Sequence, residues 1–311
     1  MRKSIINRFL ILVVLPLFWG STFLATKICL TDLPPIWMGA IRYFISSLIF
    51  LVVLISKESL NKSLRELKNY WYLFLAVGLV GTFFAAFFQN IGLRYTTASV
   101  SSLINTLEPV LVALLSVLIL RERLPFIGVA GLIIAFIGGF ILITDGNPQT
   151  LLHLDGSVKG NILILLSIIS YAFYTIFTKL LVGRTDPINA VTFSSIIGTL
   201  LLICSALIME EFPQLEEVSL TTWMAIFYLA IFPTCISLFL FNKLLTQVEA
   251  SRVSIILFLI PVYGLILGVI LLGDPLTPAM AIGGVFTIIG IWLIEYGPSK
   301  LGRKVLKSGQ R

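Results

Sequence analysis

The chain has 311 residues, of which 58% are apolar and only 12% charged, with a mean hydropathy of +1.03 and a net charge of +7. Soluble globules carry about 25% charged residues, so the 22 basic and 15 acidic side chains here cannot cover one of this size. That excludes an ordinary cytosolic enzyme, a disordered chain and a nucleic-acid-binding reading of the basic charge, and leaves a polytopic membrane protein.

A bilayer core of ~30 Å needs about 20 apolar residues per helix. Runs of that length, bounded by charge or turn residues, fall at 9–30, 34–55, 70–90, 97–120, 125–144, 159–181, 188–209, 222–241, 251–272 and 278–296. Nothing alternates as a barrel strand would, and lipid tolerates no unpaired backbone. The expected fold class is therefore an all-α membrane protein of ten transmembrane helices. The first run follows Arg2, Lys3 and Arg8 but has no small-residue cleavage site, so it reads as a retained span and not a signal peptide. Cys29, Cys204 and Cys235 sit inside apolar runs without ligand spacing, and His153 is the single histidine. Disulfide frameworks, metal sites and His-dependent triads thus have no material.

Orientation follows the basic residues. With the N-terminus in the cytoplasm, that side receives Arg2, Lys3, Arg8, Lys57, Lys62, Arg65, Lys68, Arg121, Arg123, Arg184, Lys243 and Arg252. The basic tail, Lys300 to Arg311, joins them. The outer side receives Arg94 and Lys159, and Lys27, Arg42 and Lys179 lie within spans. Asp32, Asp145, Asp155, Glu210, Glu211, Glu216, Glu217 and Asp274 fall outside. Both termini are expected in the cytoplasm.

The chain matches itself at one gapless offset of 152, the interval from Thr26-Lys27 to Thr178-Lys179. Pro35-Ile36 falls on Pro187-Ile188, Trp71 on Trp223, Asn90 on Asn242, Ala98-Ser99 on Ala250-Ser251 and Pro109-Val110 on Pro261-Val262. Gly131 and Gly138 fall on Gly283 and Gly290. Two units follow, 1–144 and 159–311, joined by a polar connector at 145–158. Five spans per unit is an odd number, so the second unit enters the membrane from the opposite side. That is the inverted-repeat plan of secondary transporters, whose site lies between the repeats near the midplane. Lys27 and Lys179 stand about eight residues from their span centres in opposite senses, as inversion requires.

Trp19-Gly20-Ser21-Thr22-Phe23 resembles the opening motif of EamA-type members of the drug/metabolite transporter superfamily. Arg42, the stretch Ala98-Ser99 through Glu108-Pro109, and Arg121-Glu122-Arg123-Leu124 are similar to that family's second and fourth spans and closing motif. The resemblance covers essentially the whole chain. It implies ten helices, alternating access, and transport of small metabolites without a nucleotide cofactor. No phosphate-binding GxxxxGK[ST] loop occurs. The second unit departs: Trp19 becomes Tyr171, Gly20 Ala172, Arg42 Ser194 and Glu108 Ile260. Whatever Arg42 and Glu108 do, one unit does alone.

Glu108 stands mid-span before Pro109, where a lone charge costs several kcal/mol. It reads either as a substrate-ammonium or proton-coupling carboxylate, or as half of an ion pair with Arg42. Lys27 and Lys179, roughly 12 Å from span centre, either snorkel to the headgroups or gate. Pro109 with Pro261, and Gly81 with Pro233, are equivalent helix breaks, the pattern that points to a transporter site. Trp19, Phe23, Phe84, Phe88, Tyr171 and Tyr174, with Thr22, Asn90, Asn105 and Glu108, form a candidate lining for an amphipathic solute with an amino group. Glu122 and Asp274 read as anchors for the starts of spans five and ten, and the glycines seven apart as a close helix contact.

The expected function is secondary transport, in the export direction, of small organic metabolites, amino acids or related amines first. The expected partners are that solute, the lipid bilayer and protons as coupling ion, with no nucleic acid, at a prokaryotic plasma membrane. The alternatives are a non-transporting scaffold or sensor, and a membrane enzyme, against which the single histidine and the lone in-span acid argue.

Overall fold

The computed structural model describes the backbone of residues 2–56, 60–119, 126–149, 156–247 and 259–308, and side chains within 14–293 of those. Glu122, Ser251 and His153 lie outside the described residues. Among the described residues the chain is all helix, with no strand. Seven helices are long and apolar enough to cross a membrane, and the segments Val14–Cys29, Ile260–Leu272 and Pro278–Leu293 are shorter apolar helices.

In chain order the helical rods are α1 (Arg2–Cys29), α2 (Pro35–Ser56), α3 (Leu60–Tyr95), α4 (Ala98–Ile119) and α5 (Phe126–Thr144). They continue as α6 (Gly156–Val182), α7 (Pro187–Met209), α8 (Leu220–Thr246), α9 (Leu259–Leu272) and α10 (Pro278–Ser308). Start signals in the sequence are used as such. Thr97 caps α4 through Val100 N–H, Asp186 caps α7 with Pro187 next to it, and Ser219 caps α8. α2 is capped from a distance, by the Glu210 carboxylate beyond the end of α7, which accepts from the N–H groups of Ile36 and Trp37 at 3.0–3.1 Å. An anion there meets the positive end of the helix dipole.

Three rods depart from plain spans. α3 begins ten residues before the expected 70, as a polar stretch carrying Lys62, Arg65, Glu66 and Lys68, and turns into the apolar span at Tyr70, whose backbone is non-helical (φ −122°, ψ 23°). Hydropathy hides this stretch because it lies outside the apolar run. Glu66 fastens it, accepting from Asp186 N and Asn189 Nδ2.

α3 and α8 each contain a π turn, at Gly78–Phe84 and Ala230–Ile236. The two turns coincide under the 152-residue offset. Such turns insert one extra residue into the helix, and they release carbonyls that side chains then satisfy. Ser46 Oγ donates to Ala230 O (3.2 Å), Trp19 Nε1 to Pro233 O (3.0 Å) and Ser167 Oγ to Ala85 O (2.7 Å).

α4 bends at Asn105–Thr106 and resumes at Leu107. The break falls one turn before Pro109, because the proline ring collides with the carbonyl four residues back. Pro109 itself sits in the first turn of the second half, where its missing N–H costs nothing. The equivalent stretch before Pro261 lies outside the described residues.

Packing repeats the offset. The most extensive contacts join α5 to α10, α3 to α6, α3 to α7, α2 to α7, and α1 to α9. In α2 and α7, Ile36 meets Glu210, Ser47 Oγ meets Thr199 Oγ1 (3.0 Å), and Phe50 O meets Thr192 Oγ1. Numbers rise on one helix as they fall on the other, so the two run antiparallel. Ser47 and Thr199 are 152 residues apart, so they are each other's equivalents and lie on the axis relating the units. α5 and α10 are also antiparallel: Gly138 lies against Gly283, and Gly131 with Ala135 against Gly290. These four glycines are the expected close contact. Helices in lipid gain little from apolar burial against each other and rely on such close approach.

Asp32, in the loop after α1, ties α1 to the start of α8. It accepts from Ser219 N (3.0 Å), Ser219 Oγ (2.6 Å) and Thr222 Oγ1 (2.7 Å). These donors hold its carboxyl well below the usual carboxylate range. A depressed folded-state value contributes stability that is present above about pH 4, the ordinary carboxylate value, and is lost as pH falls toward the folded one. Asp32→Asn is therefore expected to lower the thermal unfolding midpoint at neutral pH in detergent. The gap from the wild-type protein should shrink on acidification below about pH 4; a gap that stays constant across pH would refute the assignment.

Candidate functional site

A partly open cavity of about 70 Å³ is lined by residues of both units. α1 contributes Trp19, Thr22 and Phe23; α2 Arg42 and Tyr43; α3 Gln89; α4 Asn105 and Glu108. The second unit contributes Tyr171, Tyr174 and Thr175 from α6, Pro233, Leu238 and Phe241 from α8, and Ile260 from α9. Five equivalent pairs face each other across it: Trp19 and Tyr171, Thr22 and Tyr174, Phe23 and Thr175, Gln89 and Phe241, Glu108 and Ile260. The cavity thus sits on the axis of the repeat. Its chemistry is one-sided, since Arg42 and Glu108 both come from the first unit and no charged lining residue comes from the second.

The aromatic wall is held by specific contacts. Trp19 is fixed by its bond to the π-turn carbonyl of Pro233 and packs edge-on against Phe241 (5.2 Å, 73°). Tyr174 donates to Asn242 Oδ1 (2.9 Å) and stacks on Phe241 (6.4 Å, 17°). Gly81 lies directly under the Tyr174 ring, which a side chain at that position would displace. Gly81 and Pro233, expected as helix breaks, are therefore π-turn residues that seat the two aromatic walls.

Arg42 is buried; its Nε donates to Thr234 Oγ1 (3.0 Å), and its guanidinium lies 5.1 Å from the Tyr43 ring centre. Thr234 is held in turn by donating to Leu229 O (2.8 Å), across the π turn of α8. Glu108 is 8% exposed and occupies the first turn of the resumed half of α4, the end of a helix that favours a carboxylate. Its carboxylate accepts a long hydrogen bond from Asn105 Nδ2, at 3.4 Å. Among the described residues no ion pair joins Arg42 to Glu108; the cation and the carboxylate face the same cavity unpaired with each other.

Of the expected lining, Trp19, Thr22, Phe23, Asn105, Glu108, Tyr171 and Tyr174 are brought together here, with Arg42 and Pro233. Phe84, Phe88 and Asn90 are not. Phe88 stacks on Phe84 (5.8 Å), and Asn90 donates to Pro35 O (3.2 Å) and packs on Gly39. Lys179 Nζ caps Leu245 O (2.7 Å), and Lys27 lies within electrostatic reach of Asp274; neither lines the cavity. Pro109 and Pro261 shape α4 and α9 from behind the lining, Pro261 O accepting from Ser102 Oγ (3.5 Å). Asp274 corrects an expectation. It anchors the start of α4, accepting from Ser99 N at 2.8 Å, and Thr277 caps α10 instead. There the carboxylate meets the positive end of α4.

Tyr43, Gln89, Thr175, Leu238, Phe241 and Ile260 were not expected in the lining. The repeat itself carries a signal for two of them, because adding the offset to Phe23 and Glu108 gives Thr175 and Ile260.

The EamA-like transporter family model matches residues 8–144 and 158–296. The chain is 28% identical over 287 residues to "Uncharacterized transporter YyaM" of Bacillus subtilis (strain 168), covering 92% of each. It is 30% identical over 289 residues to an "Uncharacterized transporter" of Archaeoglobus fulgidus, covering 93% of this chain and 98% of that one. A crystal structure of another protein, 19% identical, shares the fold with a TM-score of 0.68 over 94% of this chain and 97% of that one. A chain that is helical and holds seven long apolar helices among the described residues, matched by the family model in both halves, belongs to the EamA-like transporter family and is a multi-pass protein of the plasma membrane.

Proposed function

We propose that this membrane transporter is a secondary exporter of small organic solutes bearing an amino group, amino acids and related amines first among them. It works by alternating access between two inverted five-helix halves, 1–144 and 159–311, joined by 145–158, with both termini cytoplasmic. One observation carries the reading: a cavity on the repeat axis holds one buried cation and one buried carboxylate that are not bonded to each other. An amino acid offers the complementary pair, its carboxylate to Arg42 and its ammonium to Glu108, with the aromatic wall for the side chain. The antiparallel crossings of α2 with α7 and α5 with α10 support inversion, and the distribution of basic residues supports the orientation. Protons are the proposed coupling ion, with Glu108 the carboxyl they would use.

Purified protein in liposomes, loaded with unlabelled solute and offered labelled amino acids, amines and organic acids, tests this. Counterflow of amino acids or amines, accelerated by a pH gradient, is expected. Absence of counterflow for every class would overturn the reading and favour a sensor or scaffold.

A further inference from the structure

Two polar atoms in the cavity have no hydrogen-bond partner: Asn105 Oδ1 and Thr175 Oγ1. Their residues are 6% and 1% exposed, so bulk solvent does not reach them freely. Buried polar atoms in folded proteins are almost always paired, and an unpaired one calls for an explanation.

Among the described residues six buried hydroxyls are unpaired, those of Thr26, Ser99, Ser116, Thr175, Thr178 and Ser194, and of these Thr175 is the one that lines the cavity. Buried hydroxyls on the chain's helices commonly bond the carbonyl four residues back, as Ser46, Thr144, Thr192 and Thr287 do at 2.7–2.9 Å. Thr175 forgoes that bond and keeps its hydroxyl in the cavity wall. Asn105 is oriented by Glu108. Its Nδ2 donates to Glu108 Oε2, which commits the other end of the amide, Oδ1, to be an acceptor. It sits in the break of α4, so backbone and side chain are both placed by the bend.

We propose that the Glu108 carboxylate, Asn105 Oδ1 and Thr175 Oγ1 form a three-point acceptor site for a primary ammonium, which discriminates against N-methylated amines. The inference rests on the transport reading above and narrows its substrate class. A primary ammonium carries three N–H donors, and the cavity offers three acceptors from α4 and α6. Each N-methyl group removes a donor and leaves a buried acceptor unpaired, the situation in which a polar site rejects an analogue most strongly. Arg42 does not compete, because a guanidinium donates and accepts nothing.

The test uses leucine and phenylalanine, their N-methyl and N,N-dimethyl derivatives and the corresponding 2-hydroxy acids, with purified full-length protein. Binding is read as the shift in thermal unfolding midpoint with ligand concentration, alongside counterflow. The expected order is parent, N-methyl, N,N-dimethyl, with each methyl weakening apparent affinity about tenfold or more and the hydroxy acids weakest. Thr175→Val, which keeps shape and loses the hydroxyl, is expected to weaken the parent and shrink the gap to its N-methyl analogue. Thr175→Ser should keep the gap. Equal binding across the methyl series, no binding by any member, or a wild-type gap in Thr175→Val would each overturn the site. Counterflow that persists with equal tolerance of methylation would sink this site alone and leave the transport reading standing.

Discussion

Replacing Glu108 by glutamine is expected to cut counterflow about tenfold to a hundredfold, the worth of one charge-assisted hydrogen bond of roughly 1.5–3 kcal/mol. The folded fraction should change little, because glutamine fills the same space at the start of the resumed helix and still accepts from Asn105. Arg42→Met is expected to lose a similar factor. The informative protein is the double variant. If the two charges hold opposite ends of one solute, each single change removes an independent contact and the double variant is worse than either. If instead they served mainly to neutralise each other, removing both would relieve the lone buried charge that each single variant leaves, and transport would recover. Recovery in the double variant would remove both residues from the mechanism. Their separate hydrogen-bond partners, Thr234 and Asn105, support the first outcome.

The largest loss of stability is expected where α5 and α10 cross. A methyl group at Gly290 would lie 2.5 Å from Ala135 N and from Gly131 O, both backbone atoms that cannot rotate aside. Gly290→Ala is therefore expected to destabilise by about 1–3 kcal/mol through overpacking, and Gly290→Val by more. Six residues earlier, the added carbon of Gly284→Ala would meet only Leu103 Cδ2 at an ordinary 3.5 Å, so that variant should behave like the parent. Thermal unfolding in detergent of the two alanine variants side by side measures the difference. Equal midpoints would mean that this crossing does not hold the units together.

The apolar helices and the repeat were legible because apolar length and a gapless offset are properties of the chain itself. Trp71 on Trp223 and Asn90 on Asn242 needed no coordinates. The lining was legible where a scarce polar group marked it, as at Glu108 and Asn105. It was misread on α3. A helix without interruption turns about 100° per residue, and the π turn at Gly78–Phe84 adds one residue, which advances everything after it by one position. Gln89 accordingly reaches the cavity in the place expected of Phe88. No propensity marks that turn, since Gly-Leu-Val-Gly-Thr-Phe-Phe reads as ordinary membrane helix. Tyr43 and Phe241 were hidden for another reason: in a chain with 23 phenylalanines and 9 tyrosines, an aromatic residue carries little information until its neighbours are known.

The two π turns also bear on how alike the units are. Position for position their sequences, Gly-Leu-Val-Gly-Thr-Phe-Phe and Ala-Ile-Phe-Pro-Thr-Cys-Ile, share one residue, the threonine at Thr82 and Thr234. Yet the offset between units is the same upstream of the turns, at Thr26 and Thr178, as downstream, at Asn90 and Asn242. Had one unit gained its extra residue alone, the spacing would change by one across the turn. The turn is therefore a feature common to both units and not an addition to one of them, kept where six of its seven side chains differ.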